Sequence, residues 1–150
     1  MTGSTANMPT SSAEDLNWLL GELPELPGVR HTLLVTSDGL AQKYCKSTTE
    51  DLADRTAAAI SGMQALSGVF AHEYAPKGTD PMAVRGGPQV ITIPGGHVFL
   101  RPTANGAAVL AVITGPGADP GMIAQYMQER VQKLGEQLEA PARTPVPEHG

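Results

Sequence analysis

The sequence predicts an α+β domain built on a five-stranded antiparallel sheet, with the element order α-β-β-α-β-β-β-α. Three observations predict this fold class. Apolar residues recur at helical spacing in three segments of the chain. Five short segments have strand-like patterns, and the turns between neighbouring strands are too short for parallel crossovers. The chain has 150 residues, which is enough for one domain with a substantial core.

The first part of the chain is expected to form a helix followed by a β-hairpin. Val29–Thr36 alternates like a strand, Asp38-Gly39 is typical of a tight turn, and Leu40–Cys45 is the returning strand. Pro24 should end the preceding helix because it cannot continue a helical hydrogen-bond ladder. That first helix is predicted from four leucines on one helical face: Leu16, Leu19, Leu20 and Leu23.

A long second helix should begin after Ser47–Asp51, where hydroxyl and acidic residues are typical of a helix cap. Its charges are confined to the first two turns. One stripe is predicted to cover the sheet: Leu52, Thr56, Ala59, Met63, Leu66 and Phe70. A second stripe of mostly smaller residues would be exposed in a monomer: Ala53, Ala57, Ile60 and Gln64. Because small residues allow two helices to approach closely, we expect this second stripe to pair with another copy of the chain.

Three further strands are predicted after a Pro/Gly-rich loop, at Gln89–Ile93, His97–Arg101 and Ala107–Ile113. The last strand is apolar nearly throughout, so it should be central and covered on both faces. A final helix should begin at Asp119, a capping residue followed by proline. We expect the long helix on one face of the sheet and the two terminal helices on the other.

The strand at Gln89–Ile93 is expected to be a sheet edge that pairs with a second copy. It carries no charged residue, although charges or an internal proline are what a monomer uses to protect such an edge. Val90, Ile91 and Ile93 are therefore predicted to lie in a homodimer interface, together with the second stripe of the long helix.

The folded domain is predicted to span residues 14–139. A Thr/Ser/Asn-rich arm over 1–13 and a proline-rich tail over 140–150 are expected to be disordered. No apolar run approaches the ~20 residues that a membrane-spanning helix needs. We expect a cytoplasmic protein whose association with a membrane would arise through its partners.

Composition argues against nucleic-acid binding and against catalysis. The formal net charge is −5, and the basic residues are scattered rather than gathered in a stripe. Neither a Gly-Lys phosphate loop nor a Gly-x-Ser-x-Gly nucleophile motif occurs. The single cysteine, Cys45, is predicted to be a packed or edge thiol. No two histidines are spaced as a metal pair (His31, His72, His97 and His149), so we expect no metal, no cofactor and no enzymatic activity.

Three segments in a fixed order carry a resemblance to a known family: the Thr36–Leu40 hairpin, Leu52–Ala58 on the long helix, and the block from His97 to Met127. Together they resemble the Roadblock/LC7 family, and within it the bacterial members related to the gliding protein MglB and encoded in actinobacterial GTPase operons. The resemblance covers about residues 14–135. It implies a roadblock fold, which is related to the longin and profilin folds.

The resemblance implies a non-enzymatic dimeric scaffold that binds a small Ras-like GTPase, with a sensor-kinase-like protein as a further partner. The GTPase-facing surface is expected near Asp54, Ala58, Ser61 and Arg85, and Arg85 or Arg55 is a candidate to supply a catalytic arginine to the GTPase. Two other functions stay open. A profilin- or PAS-like small-molecule sensor would need a cavity of a few hundred cubic ångströms, and an enzyme would act through the cysteine or a histidine.

Overall fold

The computed structural model describes residues 20, 22–80, 88–103 and 106–143, with side chains described as far as Leu134 in the last helix. The predicted α+β class is confirmed, with two α-helices and five strands among the described residues. In chain order the elements are a 3-10 turn at Leu23–Glu25, β1 (Val29–Thr36), β2 (Ala41–Tyr44), α1 (Glu50–Tyr74), β3 (Gln89–Ile93), β4 (Gly96–Pro102), β5 (Ala108–Thr114) and α2 (Pro120–Arg143).

The five strands form one antiparallel sheet in the order β2-β1-β5-β4-β3. As predicted, β5 is central, and all but one of its residues are buried. The predicted position of β3 is also confirmed, since it pairs only with β4 and forms one margin of the sheet. The other margin is β2, which pairs only with β1.

Each face of the sheet has its own hydrophobic core. Side chains of β1 and β5 alternate between the two, so that Leu33 and Ala111 contribute to the α1 side while Leu34 and Leu110 contribute to the α2 side. The α2 side also buries one face of α2: Ile123, Met127, Val131 and Leu134. The layering therefore has α1 on one face and α2 on the other, as the sequence predicts.

The predicted orientation of α1 is wrong. Ala53, Ala57 and Ile60 are fully or almost fully buried against the sheet, although they were expected to be exposed in a monomer and to pair with another copy. Leu66 and Phe70, which were expected to cover the sheet, are 60% and 61% exposed. Small side chains on the inner face let the α1 backbone lie close to the sheet. The larger side chains of α1 therefore face away from the sheet.

The β1–β2 hairpin depends on a glycine at its turn. Gly39 has a φ of +85°, a region that non-glycine residues rarely adopt, and its amide donates to the Thr36 carbonyl at 2.9 Å. A Cβ at this position would lie 3.3 Å from the Ser61 Cβ, so α1 also restricts the site. The Asp-Gly signal is thus confirmed as a hairpin turn that packs on α1.

The two ends of the described chain differ from the predicted boundaries. Leu20 is helical, but Leu23 lies in a separate 3-10 turn, because Pro24 stands at the start of that turn. Leu16 and Leu19 lie outside the described residues, as does the 1–13 arm. At the other end, Asp119 caps α2 through a hydrogen bond from the Gly121 amide at 3.1 Å. The α2 backbone continues beyond residue 140 to Arg143, into the segment predicted to be a disordered tail.

Candidate interaction surface

The side of α1 that faces away from the sheet carries a cluster of large apolar side chains. Leu66, Val69, Phe70 and Tyr74 are between 59% and 79% exposed, and we call these four residues the outer face of α1. The Phe70 and Tyr74 rings stack with their centroids 6.4 Å apart. Exposed aromatic and aliphatic side chains clustered in this way typically mark a site of protein–protein contact.

The α1 helix has no polar side toward solvent over most of its length. No charged residue occurs from Thr56 to Ala71, which corresponds to more than four turns. The exposed positions preceding the outer face are occupied by small residues: Ala58, Ala59, Gly62 and Ala65. A helix that exposes only small and apolar residues over several turns is typically covered by another layer of protein. The sheet covers only the inner side of α1, so the other side is suited to a second layer of protein.

The β3 margin offers a second contact of the same kind. Val90 is 58% exposed, and the strand has no charge, no internal proline and no hydrogen-bonded neighbour on its outer side among the described residues. Its main-chain groups on that side are available to another strand, as expected for an unprotected edge. The β3 edge therefore combines hydrogen-bonding capacity with apolar side chains.

Half-buried residues lie between the outer face of α1 and the β3 edge. Met63 of α1, Ile91 of β3 and Val98 of β4 all pack against the core on the α1 side, but none is fully buried. The helix packs mainly over β1 and β2, so the β4–β3 end of this sheet face is only partly covered. An apolar surface thus extends from α1 toward the free strand.

The residues expected to face a GTPase occupy different environments. Asp54 and Ala58 are exposed near the start of α1, and Ser61 is half-buried against the β1–β2 turn. Arg85 lies outside the described residues. Gln64, expected in the dimer contact, is half-buried, and its Nε2 atom is buried with no hydrogen-bond partner among the described residues.

Gln64 lines an open groove between α1 and one end of the sheet. The groove has a volume of about 420 Å³, and its walls include Ile60, Ala65 and Gly68 from the helix and Val109 from β5. The volume falls within the range of small-molecule sites. The groove lies between helix and sheet, the position that a sensor-like function would require.

Cys45 and His31 belong to one hydrogen-bonded cluster at the β2 end. His31 Nδ1 lies 2.8 Å from Thr48 Oγ1, which lies 3.5 Å from Cys45 Sγ. Burial raises the pKa of the Cys45 thiol, but hydrogen bonds with Ser47, Thr48 and the Thr32 amide outweigh burial and lower this pKa to about 7. The pKa of His31 is lowered by burial and, to a lesser extent, by the Arg30 charge.

The same topology and the N-terminal sequence occur in a known domain family. The family model for the Roadblock/LC7 domain matches residues 16–84, which include the hairpin and all of α1. The fold of the chain is that of the Roadblock/LC7 family. Comparison with curated proteins gives no match. No helix within the described residues is long and apolar enough to cross a membrane.

Solved roadblock structures superimpose on most of the chain. A Roadblock/LC7 domain from Streptomyces avermitilis has a TM-score of 0.68 at 24% identity and covers 81% of this chain and 96% of its own. A second structure of such a domain from the same organism has a TM-score of 0.58 at 28% identity, with coverage of 79% and 96%. A structure of MglB with a tetrameric arrangement has a TM-score of 0.68 at 16% identity, with coverage of 86% and 89%.

Sequence reasoning missed the outer face of this roadblock domain because it assigned the larger apolar residues of α1 to the core. Val69 and Tyr74 were not recognised at all, and Leu66 and Phe70 were placed on the wrong side. The run without charge from Thr56 to Ala71 is the signal that could have identified them, since it favours cover on both sides of α1 whichever stripe meets the sheet.

Proposed function

We propose that this protein is a non-enzymatic homodimeric regulator that binds a small Ras-like GTPase and modulates its nucleotide state or its location within a signalling complex. The observation that carries the proposal is the outer face of α1, a surface built for contact with another protein. The Roadblock/LC7 domain supports a regulatory role in general, because domains of this family act as regulators and scaffolds.

The homodimer would form through the outer face of α1 and the β3 edge. Two copies related by a twofold axis would pack their α1 helices together and pair β3 with β3 to extend the sheet. Covering Leu66, Val69 and Phe70 would contribute about 25 cal/mol for each square ångström of apolar surface removed from water. The tetrameric arrangement of the similar MglB is consistent with self-association.

The start of α1 would provide the GTPase contact. Asp54 and Ala58 are exposed there and lie away from the larger residues that would pair in the dimer, and Ser61 and Arg85 would complete the contact. A sensor-kinase-like protein would be a further partner in the cytoplasm, and membrane recruitment would occur through such partners.

A titration with a small Ras-like GTPase of the same organism tests this proposal. We expect binding by calorimetry that depends on whether GDP or GTP is bound. An Asp54→Arg variant should bind at least ~10-fold more weakly, since reversing a charge at the centre of a contact costs more than losing one at its rim. Glu129→Arg makes the same charge reversal on the exposed side of α2 and should bind like the unmodified protein. Absence of binding in both nucleotide states would overturn the proposal.

The role of an arginine in GTP hydrolysis is a separate question within this proposal. An arginine supplied in trans stabilises the charge that develops during phosphoryl transfer and accelerates hydrolysis by about 10³-fold or more. If Arg85 acts in this way, Arg85→Ala should abolish stimulation of hydrolysis while binding persists. An unchanged hydrolysis rate would assign regulation to binding alone.

The groove beside Gln64 favours a second candidate, a small-molecule sensor of the profilin or PAS type. Its buried Nε2 donor has no partner within the described part of the chain, so a ligand carbonyl could accept a hydrogen bond from it. A fragment screen by NMR tests this candidate. Shifts at Ser61, Gln64 and Val109 that disappear in Gln64→Leu would support it, and a screen without such shifts would exclude it.

A further inference from the structure

A pocket of about 670 Å³ opens beside β2, at the sheet margin opposite the β3 edge. We call it the β2 pocket. Its walls come from the segment before β1, the start of β1, and the end of β2 with the loop that follows: Leu20, Pro24, Glu25, Val29, Arg30, Lys43, Tyr44, Cys45, Lys46 and Ser47. None of these residues belongs to the outer face of α1 or to β3, so the β2 pocket is separate from the proposed dimer contact.

Hydrogen bonds to β1 fix the loop that lines the β2 pocket. The Cys45 amide donates to the Thr32 carbonyl at 3.1 Å, and the Ser47 hydroxyl donates to the Arg30 carbonyl at 2.7 Å. These two bonds hold residues 45–47 alongside β1 and place Lys46 between them. The pocket wall is therefore a fixed continuation of the sheet rather than a free loop.

The Arg30 side chain contacts the backbone of Gly115, directly after β5. A Cβ at Gly115 would lie 2.6 Å from Arg30 Nε and 3.1 Å from its Cζ, so the guanidinium rests directly over the glycine backbone at the end of β5. Only glycine leaves room for this arrangement. Because β5 and β2 flank β1 on opposite sides, this contact directs the Arg30 guanidinium toward β5, and the lysines of β2 and its following loop are the cations on the pocket side.

The β2 pocket has an excess of positive charge in an acidic protein. It collects three of the ten basic residues of the chain, Arg30, Lys43 and Lys46, against one acid, Glu25. No ion pair forms at any of the three cations among the described residues. Because the net charge of the chain is −5, such a local excess runs against the overall composition. Unpaired cations that line one pocket attract an anion.

The rest of the β2 pocket is apolar. Leu20, Pro24 and Val29 line it on the face of the sheet that Lys43 shares, and the volume lies within the range of sites that bury a small organic molecule. An inorganic ion would leave this apolar surface in contact with water. A ligand with both an apolar body and an anionic group would match both parts of the wall.

We infer that the β2 pocket binds a small organic anion, a phosphate ester or a carboxylate whose charged group contacts Lys43 and Lys46 and whose apolar body contacts Leu20 and Val29. The loop that lines the pocket leads directly into Thr49, the cap of α1. A ligand bound there would lie next to the end of α1 that is proposed to face the GTPase, and would leave the dimer contact uncovered.

NMR titration of the full-length protein with phenyl phosphate and with benzoate tests this inference. At least one of the two should cause saturable amide shifts that map to Arg30 and to residues 43–47, while neutral benzyl alcohol should not. Lys46→Gln should raise the dissociation constant about threefold, the effect expected from removing one partly exposed charge. Lys77→Gln removes the same charge from an exposed residue outside the pocket and should change nothing.

The two probes also identify the chemical class of the ligand, since the tighter one indicates whether phosphate or carboxylate is preferred. Saturable shifts that map elsewhere, or that weaken equally in Lys46→Gln and Lys77→Gln, would overturn the inference, as would the absence of saturable shifts for both anions. None of these outcomes depends on dimerisation or GTPase binding, so the inference and the proposed function fail separately.

Cys45 provides a second measurement because it is the only cysteine and lines the β2 pocket. A saturating concentration of the bound anion should slow alkylation of Cys45 by iodoacetamide several-fold. The protection should require a higher anion concentration in Lys46→Gln than in Lys77→Gln. Alkylation at an unchanged rate under saturation would show that the anion binds outside the pocket and would overturn the inference.

Discussion

The two long helices of this domain differ in which side chains they bury against the sheet. The α2 helix buries large side chains, such as Met127 and Leu134, and exposes polar ones: Gln125, Gln128, Glu129, Gln132 and Lys133. The α1 helix buries the small Ala53 and Ala57 and exposes Leu66 and Phe70. The outer side of α2 is therefore a polar surface suited to solvent. The α1 helix covers the sheet and still presents an apolar surface.

This difference explains why one face of the molecule is a candidate for protein contact and the other is not. Packing through small residues stabilises the α1–sheet contact by close approach, and it leaves the larger residues free for a partner. The α2 side uses its large residues for the core of its own chain. The comparison therefore predicts where substitutions alter folding and where they alter only association.

The largest effect is expected for truncations of buried residues on either helix. Ile60→Ala on α1 and Leu134→Ala on α2 should each lower the free energy of unfolding by about 2–5 kcal/mol, because both side chains are almost completely buried. Urea denaturation in a Phe70→Glu background, designed to keep the chain monomeric, measures this directly. Leu66→Ala is the matched control, with an expected change within about 0.5 kcal/mol. An equal loss for Leu66→Ala would contradict the distinction between the two sides of α1.

A smaller effect is expected from enlarging the inner face of α1. Ala57→Leu should cost about 1–3 kcal/mol of unfolding free energy, because the added atoms push the helix away from the sheet. Ala59→Leu makes the same substitution at an exposed position two residues along and should leave stability nearly unchanged. If Ala57→Leu were as stable as Ala59→Leu, the close approach of α1 to the sheet would be wrong.

Much of this architecture could be predicted because it depends on local signals. The Asp38-Gly39 turn, the Thr49 and Asp119 caps and the charge-free β3 strand each indicate a structure through a few neighbouring residues. The rotation of α1 could not be predicted in the same way. Both stripes of α1 are apolar, so the choice depends on the separation between helix and sheet, which no local pattern encodes. The β2 pocket was missed because its walls come from separate segments of the chain that meet only after β1 and β2 pair.

The smallest effect concerns the β2 margin, which should be unaffected by events on the α1 side. Alkylation of Cys45 by iodoacetamide should rise with a midpoint near pH 7, because its pKa is lowered and the thiolate is the reactive form. The midpoint should be the same in the unmodified protein and in Phe70→Glu. Thr48→Val removes a hydroxyl that hydrogen-bonds the thiol and should shift the midpoint to higher pH. A midpoint that differed between the unmodified protein and Phe70→Glu would mean that the two margins are not independent.

Sedimentation equilibrium tests the central claim, that the outer face of α1 is an interface between two copies. The unmodified protein should sediment at micromolar concentrations with twice the 15.6 kDa mass of one chain. Phe70→Glu should weaken the dimer at least ~30-fold, the effect of losing a central aromatic contact and burying a charge. Met122→Glu adds the same charge at an exposed apolar residue of α2 and should remain dimeric. A mass of one chain for the unmodified protein, or a Phe70→Glu variant as dimeric as Met122→Glu, would contradict the account.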